Sequence, residues 1–159
     1  MRLAILIGLA AGLLSGLAEG RVDGTLDALA NSLSTWLLAP FVVGWFASSR
    51  REAALAGLLT CALQLAGYYV FAHDTTASLV AFWLVCAVLG GPLFGAAGHA
   101  RFPALLAGIF VAEGVFSTGW LWVAVGLIVG ARQWRWLALT IPLGLAGELV
   151  HTELLTRFF

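Results

Sequence analysis

Long apolar runs, separated by short polar links, restrict this chain more than any other feature. They cover Leu3–Ala18, Ala30–Ser48, Ala53–Ala72, Ala77–Gly98, Pro103–Ala131 and Trp136–Val150. A helix needs roughly 20 mostly apolar residues to cross a bilayer, and most of these runs lie near that length. Composition agrees: 62% of the 159 residues are hydrophobic, 10% are charged, and the mean hydropathy is +1.00. Ordinary soluble domains carry about 25% charged residues, so this composition argues against a soluble monomer. The apolar content also excludes disorder. The expectation is an all-α, polytopic transmembrane helix bundle forming a single domain over residues 1–159. A cleaved signal peptide is the alternative reading of the first run.

The Pro103–Ala131 stretch decides the number of crossings. As one helix of 29 residues it would extend about 43 Å, too long for a hydrocarbon core of about 30 Å unless strongly tilted. Split at Ser117-Thr118-Gly119, it becomes two short helices. With the N-terminus cytoplasmic, the split places Arg2, Arg50, Arg51, Arg101, Arg132 and Arg135 inside, and Arg21 and Arg157 outside. That six-to-two bias follows the positive-inside rule better than the five-to-three of a single long helix. Seven crossings are therefore expected, with six as the alternative.

In that topology the polar residues gather at the outer end. Seven acids (Glu19, Asp23, Asp27, Asp74, Glu113, Glu148 and Glu153) and two arginines give it a net −5, against +5 inside. Ionisable groups within a membrane are costly and usually face a cavity or a partner. Glu113 is the clearest case, in Val111-Ala-Glu-Gly-Val115, and Glu148 follows, one turn before His151. Asp27 and Asn31 share a helix face, as do Gln64 and Tyr68. These residues suggest a polar pocket open to the outside. Glu113 and Glu148 would be charge or hydrogen-bond partners. Trp36, Tyr68 and Tyr69 would be walls, and Asn31 and Gln64 orienting amides. Competing structural readings are an interfacial belt for Tyr68, Tyr69, Trp120 and Trp122, a helix cap for Asn31, and a hydrogen-bonded structural acid for Glu113.

Other chemistry finds little support. Glu148-x-x-His151 matches half of a bundle di-metal site, but only one copy exists. Cys61 and Cys86 sit inside apolar runs and suit packing better than redox work. No nucleophile elbow or phosphate-binding loop is present, there is no basic patch for nucleic acid, and no cofactor is implied. Gly8, Gly12, Gly16 and Gly20 form a stripe along the first helix. Such a stripe admits close helix approach, either within the bundle or toward a partner subunit or second copy.

Several phrases occur together: Ala30-Asn31-Ser32 with Trp36, Ala66-Gly67-Tyr68-Tyr69, Phe82-Trp83, Gly91-Pro92-Leu93-Phe94-Gly95 and Ala112-Glu113-Gly114-Val115. Over roughly residues 3–150 the chain resembles a family of small multi-spanning membrane proteins, common in actinobacteria and known only as a domain of unknown function. The resemblance implies a multi-pass protein of the bacterial cytoplasmic membrane, with no established activity. In size and architecture alone the chain is similar to substrate-binding subunits of energy-coupling-factor vitamin transporters. Those are small bundles with an outward pocket and a small-residue face on the first helix. They have six crossings, and no vitamin-specific motif occurs here.

The leading expectation is binding or transport of a small cationic or aromatic solute. An intramembrane enzyme acting on a lipid or isoprenoid, with Glu113 as general acid, is the alternative. A non-catalytic subunit or assembly factor is the third reading.

Overall fold

The computed structural model describes residues 1–19, 21–22, 30, 32–72 and 76–158. Among these residues all regular structure is helical. Seven α-helices are described: α1 (Arg2–Ala18), α2 (Leu33–Trp45), α3 (Arg50–Tyr68), α4 (Ala77–His99), α5 (Pro103–Glu113), α6 (Trp120–Gly130) and α7 (Trp134–Phe158). The chain divides into two compact units, Met1–Arg101 and Phe102–Phe159.

Local chemistry sets the helix ends. Ser32 caps α2 by accepting from the Thr35 amide at 3.2 Å. Ser49 caps α3 by accepting from the Glu52 amide at 3.2 Å, while the Glu52 carboxylate accepts from the Ser48 amide at 3.0 Å and from the Ser48 hydroxyl. Both bonds favour the ionised acid, the hydroxyl's most, and hold the Glu52 carboxyl below its ordinary value. Pro103 opens α5, where a missing amide costs nothing. The amide of the next residue, Ala104, donates to Gln133 Oε1 at 3.2 Å.

In the first unit, helix direction follows from the glycine contacts. A Cβ on Gly8, Gly12 or Gly16 would meet the carbonyl oxygens of Thr60, Gln64 and Tyr68 in turn. Thus α1 and α3 run parallel with their backbones nearly touching. Gly57 opposes Gly91 and Ala53 opposes Gly95, so α4 runs antiparallel to α3. Leu37 meets Gly90, and the Ala47 carbonyl lies 3.1 Å from His99 Nδ1, so α2 runs with α4. Arg2, Arg50, Arg51 and Arg101 therefore share one end of the unit, and Arg101 lies over the Trp45 ring at 5.3 Å. Glu19, Trp36 and Tyr68 share the other. The glycine stripe is taken up by this packing: Gly8, Gly12 and Gly16 are buried against α3. These three glycines thus serve the contact between α1 and α3. Gly20 lies outside the described residues.

In the second unit, α5 and α6 form a hairpin, with Gly114 against Val123 and Gly126 against Ala107. The long apolar stretch is split here, as its sequence suggests. The α5 helix passes into a π-helical turn, Gly114–Thr118, and ends at Gly119 with φ +83° and ψ −178°. Only glycine adopts that conformation readily. The α7 helix runs parallel to α5: Phe102 meets Trp136 at 5.5 Å, and Gly108 opposes Thr140 and Gly144.

The side-chain distribution is inverted relative to a soluble protein. On α1 the buried positions are Ala4, Gly8, Gly12, Ser15 and Gly16, while Leu6 and Leu14 are exposed. On α4 the exposed residues include Leu84, Val85, Val88, Leu89 and Leu93. By length and composition, Ala77–His99 is the one described helix clearly able to cross a membrane.

Candidate functional site

Four residues expected at a site, Trp36, Gln64, Tyr68 and Tyr69, do come together in the first unit, at the end away from its arginines. The helix directions bring them there. The last turn of α1, the first of α2, the last of α3 and the second of α4 all reach that end. Trp36 is the hub. Its ring lies edge-on to Tyr68 at 5.6 Å and stacked with Trp83 at 6.4 Å. Tyr68 meets Tyr69 at 5.2 Å, and Trp83 meets Phe82 at 5.2 Å. Buried Cys61, Leu65 and Ala87 form an apolar floor beneath Trp36, Tyr69 and Trp83.

Polar groups tie the rings to the backbone. The Ser15 hydroxyl donates to the Ala30 carbonyl at 2.7 Å, and Trp36 Nε1 donates to the same carbonyl at 3.2 Å. Gln64 is 2% exposed, and its Nε2 donates to the Trp36 carbonyl at 3.3 Å. The Tyr68 hydroxyl donates to Glu19 Oε1 at 2.6 Å. Two oxygens of the cluster that can only accept are buried without a hydrogen bond: Glu19 Oε2 and Gln64 Oε1. Arg21 does not reach Glu19; its guanidinium donates to the Leu17 carbonyl at 2.9 Å. The cluster is thus aromatic and acidic, with two buried oxygens that only accept.

Glu19 and Trp83 belong to this cluster and are missing from the residues chosen on sequence. Glu19 reads there as one of the outer-end acids, at the end of the first helix, and Trp83 as part of the Phe82-Trp83 phrase, neither with a site role. A parallel α1–α3 pair is needed to bring Glu19 to Tyr68, and no local pattern signals that pairing. Asn31, the other expected amide, lies outside the described residues, as do Asp23, Asp27, His73 and Asp74. Ser32, its neighbour, serves as the cap.

The remaining two expected residues, Glu113 and Glu148, lie in the second unit. They are 5% and 8% exposed. Gly144 packs on the backbone of Gly108 and Ile109. One turn further along the parallel helices, Glu148 comes level with 112–113. The register therefore brings the two acids to one height on adjoining helices. A cleft of about 280 Å³ lies nearby, lined by Gly114, Val115, Phe116, Gly119, Trp120 and Val123. Its lining side chains are apolar, and Glu113 is not among the residues that line it. Trp122 packs on Phe110 and is buried, so it is not part of an interfacial belt, whereas Trp120 is 84% exposed. Among the described residues, no three His, Cys, Asp or Glu side chains group as metal ligands would.

These features define an all-helical protein with close glycine-mediated packing and an aromatic, acidic cluster at one end of its first unit. The chain belongs to a family of unknown function, DUF6518, whose model matches residues 1–121. The match takes in every element of the cluster and ends within α6. No curated protein and no solved structure matches the chain.

Proposed function

We propose that this is a multi-pass membrane protein that binds a small solute at the Trp36–Tyr68 cluster, on the outer side of the bacterial cytoplasmic membrane. The inverted surface supports the membrane part. Large aliphatic side chains face outward on α1 and α4 while glycine, alanine and serine face inward, as packing in lipid favours. The alternating directions of α1 to α4 fit four crossings, and α5 to α7 fit three more. The arginines at one end of the first unit fit the positive-inside rule, which turns the cluster outward.

One observation carries the binding reading: buried Glu19 Oε2 and Gln64 Oε1 lack donors on side chains held by Tyr68 and by the Trp36 carbonyl. Leaving such an acceptor unsatisfied costs about 1–3 kcal/mol. A solute that donates hydrogen bonds would recover that cost while stacking on Trp36 and the tyrosines. Glu113 and Glu148 form a second polar centre, which we assign to proton or hydrogen-bond chemistry within the second unit. The lipid-enzyme alternative gains nothing from the cleft, because Glu113 does not line it.

The test is native mass spectrometry of the protein released gently from its own membranes. We expect a retained small polar mass in the wild type and its loss in Trp36→Ala. Wild-type protein that is bare, or that carries bulk lipid only, would overturn the reading.

A further inference from the structure

Resting on that reading, we propose that the solute is an organic ammonium ion, with Glu19 as its counter-ion and the rings of Trp36, Tyr68, Tyr69 and Trp83 as its cage. Two buried oxygens of the site, which can only accept, have no hydrogen bond. Glu19 offers Oε2, its Oε1 being held by Tyr68 at 2.6 Å, and Gln64 offers Oε1, its amide nitrogen being held by the Trp36 carbonyl at 3.3 Å. Trp36 links the two, because its carbonyl fixes Gln64 and its ring abuts Tyr68, which fixes Glu19. A ligand that satisfies these oxygens must therefore bring N–H or O–H donors. Negative charge comes from Glu19, and no other interaction among the described residues offsets it, since Arg21 is turned to the Leu17 carbonyl.

The rings extend the same preference. Aromatic faces attract a cation within about 6 Å of the centroid, and four rings are linked edge to face or stacked within 6.4 Å of one another. A bare metal ion fits poorly. Magnesium or calcium wants six or more oxygen ligands, while two free oxygens among aromatic walls suit an ammonium on a hydrocarbon or aromatic body. Glu19 is thus the specificity-determining residue, and Gln64 orients the N–H groups.

The experiment is calorimetric titration of the full chain in detergent micelles at pH 7, with benzylammonium chloride and with its uncharged counterpart benzyl alcohol, each corrected by titration into empty micelles. We expect the ammonium to bind at least about tenfold tighter, the scale of one hydrogen bond to a charged group. In Glu19→Gln the ammonium should weaken about tenfold or more while the alcohol is unchanged. Equal affinities for the two probes in the wild type would overturn the ammonium inference and leave the solute reading standing. Binding of neither probe would overturn the inference; the retained-mass experiment then decides separately whether the solute reading falls with it. The wild-type comparison needs no variant, so it holds even if Glu19→Gln does not fold.

Discussion

Substituting Gly12 with alanine should break the first unit where α1 and α3 touch. The new Cβ would lie 2.1 Å from the Gln64 carbonyl oxygen and 2.8 Å from its Cα and carbonyl carbon. Carbon–oxygen contacts normally sit at about 3.3–3.6 Å, so the helices must separate by roughly 1 Å. All three obstructing atoms are backbone, which cannot rotate away. Overpacking of this kind costs about 1–3 kcal/mol, and a gap of about 1 Å forfeits up to half of the dispersion energy along the rest of the seam. The expected loss is therefore about 3 kcal/mol. Gly16→Ala (2.5 Å from Tyr68 O) and Gly8→Ala (2.7 Å from Thr60 O) should follow in that order. The control is Gly147→Ala, whose Cβ meets nothing within 4 Å. The assay is reversible unfolding by SDS titration in mixed micelles, read by tryptophan fluorescence. A Gly12→Ala stability within about 0.5 kcal/mol of Gly147→Ala, the margin of ordinary surface changes, would refute the parallel α1–α3 seam.

Further expectations concern the other elements. Gly119→Ala should destabilise by about 1–3 kcal/mol through its backbone conformation alone, because its Cβ would meet no neighbour; an unchanged unfolding midpoint would contradict this. Glu113→Gln and Glu148→Gln, combined in a double-mutant cycle, should show a coupling energy above about 0.5 kcal/mol; strict additivity would separate the two acids. The lowered Glu52 pKa means that its cap stabilises α3 above the ordinary carboxylate value of 4.5 and loses that effect as pH falls through the depressed value. The wild type should accordingly lose its advantage over Glu52→Gln as pH falls below 4.5, and a difference in midpoint independent of pH would count against the Ser48 bonds.

Much of the helix layout was legible because hydrophobic runs and glycine punctuation are local signals. The break at Ser117-Thr118-Gly119 could be placed because a helix of that length exceeds the bilayer, and Gly119 then supplied the one conformation that the turn needs. The stripe of Gly8, Gly12 and Gly16 was equally visible, but a stripe says only that something approaches. That α3 fills it depends on the directions of two helices separated by a third. The same non-local pairing hid Glu19, which reads as a helix end until Tyr68 is brought to it. Trp36, Gln64, Tyr68 and Tyr69 were found because polar and aromatic residues near one end of apolar runs stand out. Trp83 belongs to the Phe82-Trp83 phrase, but its neighbours are as apolar as it is, so no polar residue beside it marks a site. Trp122 was read among interfacial aromatics, since burial against Phe110 leaves no trace in the spacing.

The central claim is that the Trp36–Tyr68 end of the first unit opens on the outer side of a membrane that the helices cross repeatedly. Single cysteines at Val70, Ser48 and Ala100, in a chain with Cys61 and Cys86 replaced by alanine, would be labelled in intact cells with a membrane-impermeant maleimide. The account predicts that the cysteine at 70 labels from outside, and that those at 48 and 100 label only after permeabilisation. Labelling of 48 or 100 in intact cells, or protection of 70 until the membrane is opened, would contradict it.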